Sequence, residues 1–89
     1  MIQFYSLFDK KTGAYERPFL CSYVQEAVQG VAQALQDGKV FFSKHPGDFS
    51  LYLVGTFDPA SGGIMPPQQL VPQFVCEVAS LLRVPVGAA

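Results

Sequence analysis

Apolar and polar positions change rhythm several times along the chain, and each change marks a predicted element. Ile2 to Phe8 is a short aromatic run rich in strand-forming residues. It meets a polar turn, Asp9-Lys10-Lys11-Thr12-Gly13, in which the Asp side chain can accept from backbone N–H groups two residues on and Gly accepts positive φ. Ala14 to Leu20 reads as the return strand of a hairpin, interrupted by Pro18, which confines it to an edge or a bulge. From Ser22 the rhythm becomes helical. Val24, Ala27, Val28, Val31 and Leu35 form one apolar stripe, while Gln25, Glu26, Gln29, Gln33 and Gln36 face away. Ser22 and Gln25 have the spacing of a capping box, and Gly38 supplies the stop, so the helix is expected over Tyr23 to Asp37.

Val40-Phe41-Phe42 is a brief apolar run, and Ser43 to Asp48 reads as a loop. Phe49 to Phe57 is predicted as a central strand, because Leu51, Leu53 and Gly55 alternate with Tyr52, Val54 and Thr56 and both faces are apolar. Asp58 to Gly63 is a second turn. Ile64-Met65 starts a return strand that Pro66-Pro67 cuts short. Residues Gln73 to Leu82 fit both periods. Phe74, Cys76, Val78 and Ser80 alternate, whereas Phe74, Val78, Leu81 and Leu82 fit a helix; β-branched content and Pro72 favour the strand. Two segments share the pattern F-D-x-x-[S/T]-G, at Phe8 to Gly13 and Phe57 to Gly62. Shared turn chemistry accounts for this more simply than duplication. The class expected is α+β: an antiparallel sheet of four to five strands with one amphipathic helix packed on one face. Residues 1–84 form a single domain and 85–89 a flexible tail.

Composition sharpens this picture. With 89 residues there is room for one domain. A chain so short buries only about 60–65% of its unfolded surface. Yet 49% of its residues are hydrophobic, so apolar side chains are expected outside the core and self-association is expected with them. Six Lys and Arg against seven Asp and Glu give a net charge of −1, which excludes a domain that holds nucleic acid by global charge. The Gln-rich helix face carries no Lys or Arg and is poorly suited to a DNA groove. The N-terminus has no basic region followed by an apolar one, and no apolar run is long enough to span a membrane, so an intracellular protein with reduced Cys21 and Cys76 is expected.

Catalysis is not expected. Ser43, His45 and Asp48 sit too close in one loop for a relay that normally gathers distant segments. One His and two Cys lack paired metal-ligand spacing, and no phosphate-cradling glycine loop is present; no cofactor is expected. What remains is basic residues beside rings. Lys10, Lys11 and Arg17 flank Tyr15; Lys39 and Lys44 bracket Phe41 and Phe42, with His45 adjacent. Cations on phosphate and rings on bases hold single strands, at ~1–3 kcal/mol per stacked base. The plainer account of the same residues is solvated turn lysines and core phenylalanines.

The segment Phe42-Ser43-Lys44-His45-Pro46-Gly47-Asp48-Phe49-Ser50-Leu51-Tyr52, with Val54-Gly55-Thr56-Phe57-Asp58 after it, resembles the small nonstructural protein of gokushovirus-type microviruses, bacteriophages with circular single-stranded DNA. The resemblance extends over nearly the whole chain, including Phe8-Asp9, Ala14-Tyr15, Pro18-Phe19 and Pro72-Gln73-Phe74-Val75-Cys76. It implies a DNA-binding or packaging accessory in the cytoplasm of the bacterial host, acting during replication or packaging, and it supplies no catalytic residues. Two functions are therefore expected in competition. One is an oligomeric single-stranded-DNA-binding accessory using Lys10, Lys11, Tyr15, Arg17, Lys39, Phe42, Lys44 and His45. The other is an adaptor acting on viral or host replication proteins, or on capsid assembly, without touching DNA.

Overall fold

A computed structural model describes residues 2–67 and 69–83. The expected tail at 85–89 and the domain bound at 84 lie outside them. The order is β1 (Ile2–Asp9), β2 (Ala14–Tyr15), β3 (Phe19–Cys21), α1 (Val24–Asp37), 3-10 turns at Phe41–Ser43 and Pro46–Asp48, β4 (Phe49–Asp58), β5 (Gly63–Met65), β6 (Gln73–Glu77) and a 3-10 segment at Val78–Arg83. The class is α+β, as expected, with six strands rather than four or five.

The extra strand comes from Pro18, which splits the strand expected at 14–20. β1 and β4 pair antiparallel along their whole lengths at the centre of the sheet. β2 and β3 both pair with the outer edge of β1, and β5 and β6 with the outer edge of β4. The predicted strand at 14–20 is thus two short ones. The Glu16 N–H still donates to the Leu7 carbonyl at 2.8 Å, but Pro18 has no N–H to continue the ladder. Pro66, Pro67 and Pro72 separate β5 from β6 in the same way. Short, proline-broken strands at both edges also limit unwanted edge pairing.

The two F-D-x-x-[S/T]-G segments make the same turn at opposite ends of the central pair. Asp9 Oδ1 accepts from the Lys11 N–H at 2.9 Å, and the Gly13 N–H closes on the Asp9 carbonyl at 2.8 Å. Asp58 Oδ1 accepts from the Ala60 N–H at 2.9 Å, and the Gly62 N–H closes on the Asp58 carbonyl at 2.7 Å. Gly13 and Gly62 have φ of 73° and 75°, the left-handed region that glycine enters without steric cost.

The helix packs as its stripe dictates, with Ala27, Val31, Ala32 and Leu35 buried. Its start corrects the capping box. Tyr23 is the N-cap and makes no side-chain cap bond. Glu26, not Gln25, reaches back, accepting from the Ser22 N–H at 2.6 Å. A carboxylate in the first turn also faces the positive end of the helix dipole. Gly38 closes the helix at φ 71° with its N–H on the Ala34 carbonyl.

Between helix and sheet lies one core: Tyr5, Leu7, Phe49 and Leu51 from the central strands, the helix residues, Phe42, and Val78 and Leu81 from the last segment. Residues 73–82 satisfy both periods in succession. Strand pairing ends at Glu77, and the 3-10 turn then brings Val78 and Leu81 inward, three residues apart. Cys21 is buried and Cys76 half-buried, both as free thiols. Burial first, and the Glu26 carboxylate second, push the Cys21 thiol above its ordinary value.

Two bulges shape the sheet. Val54 is the extra residue where Phe4 pairs Gly55 and Tyr5 pairs Leu53. Val75 is the extra residue where Leu51 pairs Cys76 and Tyr52 pairs Phe74. Gly55 eases a close approach beside the first: a Cβ there would lie 3.0 Å from the Met65 carbonyl oxygen, and β5 would have to give by a few tenths of an ångström.

Candidate functional site

Strand alternation sends Tyr5, Leu7, Phe49 and Leu51 to the helix side. It therefore sends Ser6 and Phe8 of β1, and Ser50 and Tyr52 of β4, to the other side. α1 and the 3-10 segments at Phe41–Ser43 and Val78–Arg83 contribute their buried residues to the one core, and the Pro46–Asp48 turn, which buries none, sits beside Lys10 at the edge, so among the described residues no helix packs across this second face.

Register then lays out what the open face carries. One row crosses four strands as Tyr15, Phe8, Ser50 and Glu77; the next runs Ser6, Tyr52 and Phe74. Four aromatic rings meet as a result. Phe8 and Tyr15 lie 4.8 Å apart between centroids, Tyr15 and Tyr52 5.6 Å, Phe8 and Tyr52 6.0 Å, and Tyr52 and Phe74 5.7 Å. Tilted and edge-on contacts of this kind are worth about 0.5–1.5 kcal/mol each beyond burial. They fix the rings in place: Tyr15 is 44% exposed and Phe74 57%, while Phe8 and Tyr52 between them are partly buried. Towards the far end of the sheet Phe4 and Phe57 form a further edge-on pair at 6.4 Å. The small residues between rings are satisfied internally. Ser6 Oγ donates to the Glu16 carbonyl at 2.5 Å, and Ser50 Oγ to Glu77 Oε2 at 2.9 Å.

The cations predicted to line a polynucleotide are placed less uniformly. Lys10 donates to the Glu77 carboxylate and, at 3.3 Å, to the Gly47 carbonyl. The ammonium group bonded to Glu77, followed by the Ser50 hydroxyl, holds that carboxyl below the usual range, and partial desolvation opposes them. Lys11 pairs with Asp48 at 3.2 Å. Both sit on the hairpin that carries Tyr15. Arg17 turns the other way and lines a groove on the helix side. Lys39, Lys44 and His45 are exposed, on the segments that follow α1. Phe42 does not join them as a ring for stacking. It is 6% exposed and packs into the core against Phe49, with centroids 6.2 Å apart. Phe41–Ser43 folds as a 3-10 turn after an extended Val40, which sends Phe41 and Phe42 in different directions; the exposed ring is Phe41, at 58%.

The residues that sequence reading passed over are Phe8, Tyr52 and Phe74. Their signal was the alternation itself: a strand apolar on both faces, with one face already committed to the helix, leaves the second to be explained. The Ser43, His45 and Asp48 side chains do not form a relay. Ser43 Oγ donates to the Ala34 carbonyl at 3.4 Å, and Asp48 is engaged by Lys11. No group of three or more metal-ligating side chains gathers among the described residues, and no helix among them is long and apolar enough to cross a membrane.

The groove that Arg17 borders is the second feature of note. It has a volume of about 510 Å³ and runs between α1, β3 and the Phe41–Ser43 turn. Its walls include Leu20, Val31, Ala34 and Phe41, with Glu16 and Glu26 also lining it.

A family model described as the phage ORF5 protein matches residues 2–81, which is nearly the whole chain. The chain belongs to that family. No curated protein and no solved structure matches it.

Proposed function

We propose that this member of the phage ORF5 family is a nonstructural accessory of microvirus-type phages that binds single-stranded DNA on the open face of its sheet during genome replication or packaging. The observation that carries the reading is the array of Phe8, Tyr15, Tyr52 and Phe74, four rings fixed by one another on a face that no helix covers. A sheet that offers ordered rings suits unpaired bases, because every base has a π-face and each stacked pair contributes ~1–3 kcal/mol. Slight net acidity weakens any one site. Self-association, which the surplus of exposed apolar residues favours, would repeat the face, and avidity would offset the low charge. The protein carries out no chemistry in this reading; it holds or orders the strand. Titrating a fluorescent single-stranded oligonucleotide at low salt tests it. Saturable binding that Tyr52→Ala weakens by about 5- to 150-fold is expected from the loss of one stacking ring. No binding at tens of micromolar protein, where non-specific nucleic-acid binding is about half-saturated, refutes it.

A second reading rests on the groove. Leu20 and Phe41, both more than half exposed, border it, and an apolar cleft of this size suits a partner's side chains. An adaptor acting on replication or capsid-assembly proteins would use it. Leu20→Glu should abolish capture of such a partner from infected cells while leaving DNA binding intact; unchanged capture removes this reading.

A further inference from the structure

Resting on the proposed single-strand binding, the placement of charge around the rings says which part of the strand is recognised. Lys10 and Lys11 are the cations on the hairpin that carries Tyr15, and each is held by a carboxylate of the protein: Lys10 by Glu77, Lys11 by Asp48. Glu77 stands in the same row of the face as Phe8 and Tyr15 and is itself anchored by Ser50 Oγ. The other lysine and arginine side chains that the structure describes belong elsewhere. Arg17 lines the groove on the helix side, and Lys39 and Lys44 flank the turn whose Phe42 enters the helix-side core. A phosphate at the edge of the ring array would therefore meet an ammonium group already paired, with a carboxylate beside it.

We infer that the open face recognises unpaired nucleobases largely independently of backbone charge, with Glu77 and Asp48 withholding Lys10 and Lys11 from phosphate. The ligand class is a flexible single strand whose bases can leave their own stack. A duplex keeps the faces of its bases stacked on one another, so it offers these rings nothing to stack on. The inference separates two sources of affinity that respond differently to salt. Each phosphate neutralised in a single strand contributes about 0.7 to the slope of log K against log salt, whereas stacking contributes none of this counterion release.

The test compares a labelled single-stranded oligonucleotide with a peptide nucleic acid of the same base sequence, whose backbone is uncharged. Both are titrated with the intact protein and with Glu77→Gln, at about 50 mM and about 500 mM salt. With one phosphate contact or fewer, DNA affinity should fall about fivefold or less over that range. The uncharged analogue should bind within about threefold of DNA, on the same stacking argument. Glu77→Gln frees Lys10 and should add about a further fivefold to the salt dependence for DNA while leaving the analogue unchanged. A fall of about 25-fold or more for the unmodified protein, equal to two or more phosphate contacts, overturns the inference, as does failure of the analogue to bind where DNA does. If neither ligand binds, the single-strand reading itself is wrong and this inference falls with it.

Discussion

Replacing Leu51 with Ala, set against replacing its neighbour Tyr52 with Ala, tests which side of the sheet is core. Leu51 is fully buried (0% exposed), pairs with Leu7 and Cys76, and lies beneath the helix. Truncating such a side chain removes its transfer energy and leaves a cavity, about 2–5 kcal/mol together. A domain of this length has a total stability of only about 4–13 kcal/mol, at 0.05–0.15 kcal/mol per residue. Leu51→Ala thus removes a large fraction of it, and the thermal midpoint should fall by about 10 °C or more. Tyr52, one residue along, loses three ring contacts on a half-buried face. Those contacts already couple to one another, so they contribute about 1–2 kcal/mol rather than the sum of three, added to a transfer term that partial exposure keeps small, and no cavity is left. Urea unfolding followed by far-ultraviolet circular dichroism measures both. The expected order is Leu51→Ala clearly more damaging than Tyr52→Ala. Equal or reversed costs would mean that the ring face is as buried as the helix side, and the assignment of an open face would be wrong.

Three further outcomes are expected. Gly62→Ala, which forces a side chain into φ 75°, should destabilise by about 1–2 kcal/mol in the same unfolding assay, whereas Gly30→Ala in the helix, where a Cβ meets nothing within 4 Å, should be neutral or stabilising. Glu77 and Asp58 both have folded carboxyls held below their usual range, the first chiefly by Lys10 and the second chiefly by the Ala60 N–H and then the Ser61 hydroxyl. Their contribution is therefore complete above the unfolded carboxyl values near about 4 and lost as pH falls through the lower folded ones. Urea midpoints should drop below about pH 4 in the native protein and drop less in Glu77→Gln, and an unchanged slope in that variant would contradict the pairing with Lys10. Sedimentation should show a dimer or higher cyclic oligomer at micromolar concentration; a monomer throughout would remove the avidity argument.

Much of the fold was legible because its signals are local. Two Asp-to-Gly turns declare themselves by residue type, and α1 by its stripe and its glycine stop. β4 was recognisable as central since both its faces are apolar. What was not legible depends on competition between distant segments. Pro18 and Pro66-Pro67 announced interruptions, but that each interrupted strand would return to the same neighbour follows only from the length of β1 and β4. Glu26 rather than Gln25 reaches back because the N-cap is Tyr23, one residue later than Ser22, which makes Glu26 the third helical residue. Residues 73–82 changed period at Glu77, where the ladder on β4 ends. The site was the least legible part. Proximity in sequence placed Phe42 beside Lys44 and His45, yet the turn that joins them points the ring inward. Proximity also set Lys10 and Lys11 beside Tyr15, yet Glu77, 67 residues from Lys10, occupies one of them. The ring array itself unites β2, β1, β4 and β6, and only strand register brings those together.

The most direct measurement is a map of amide and aromatic chemical shifts on an isotope-labelled sample titrated with a short single-stranded oligonucleotide. The predicted result is a set of changes concentrated on Phe8, Tyr15, Tyr52 and Phe74 and their strands. Changes confined to Lys39, Lys44 and His45, or to Leu20 and Phe41 around the groove, would place recognition elsewhere and contradict it.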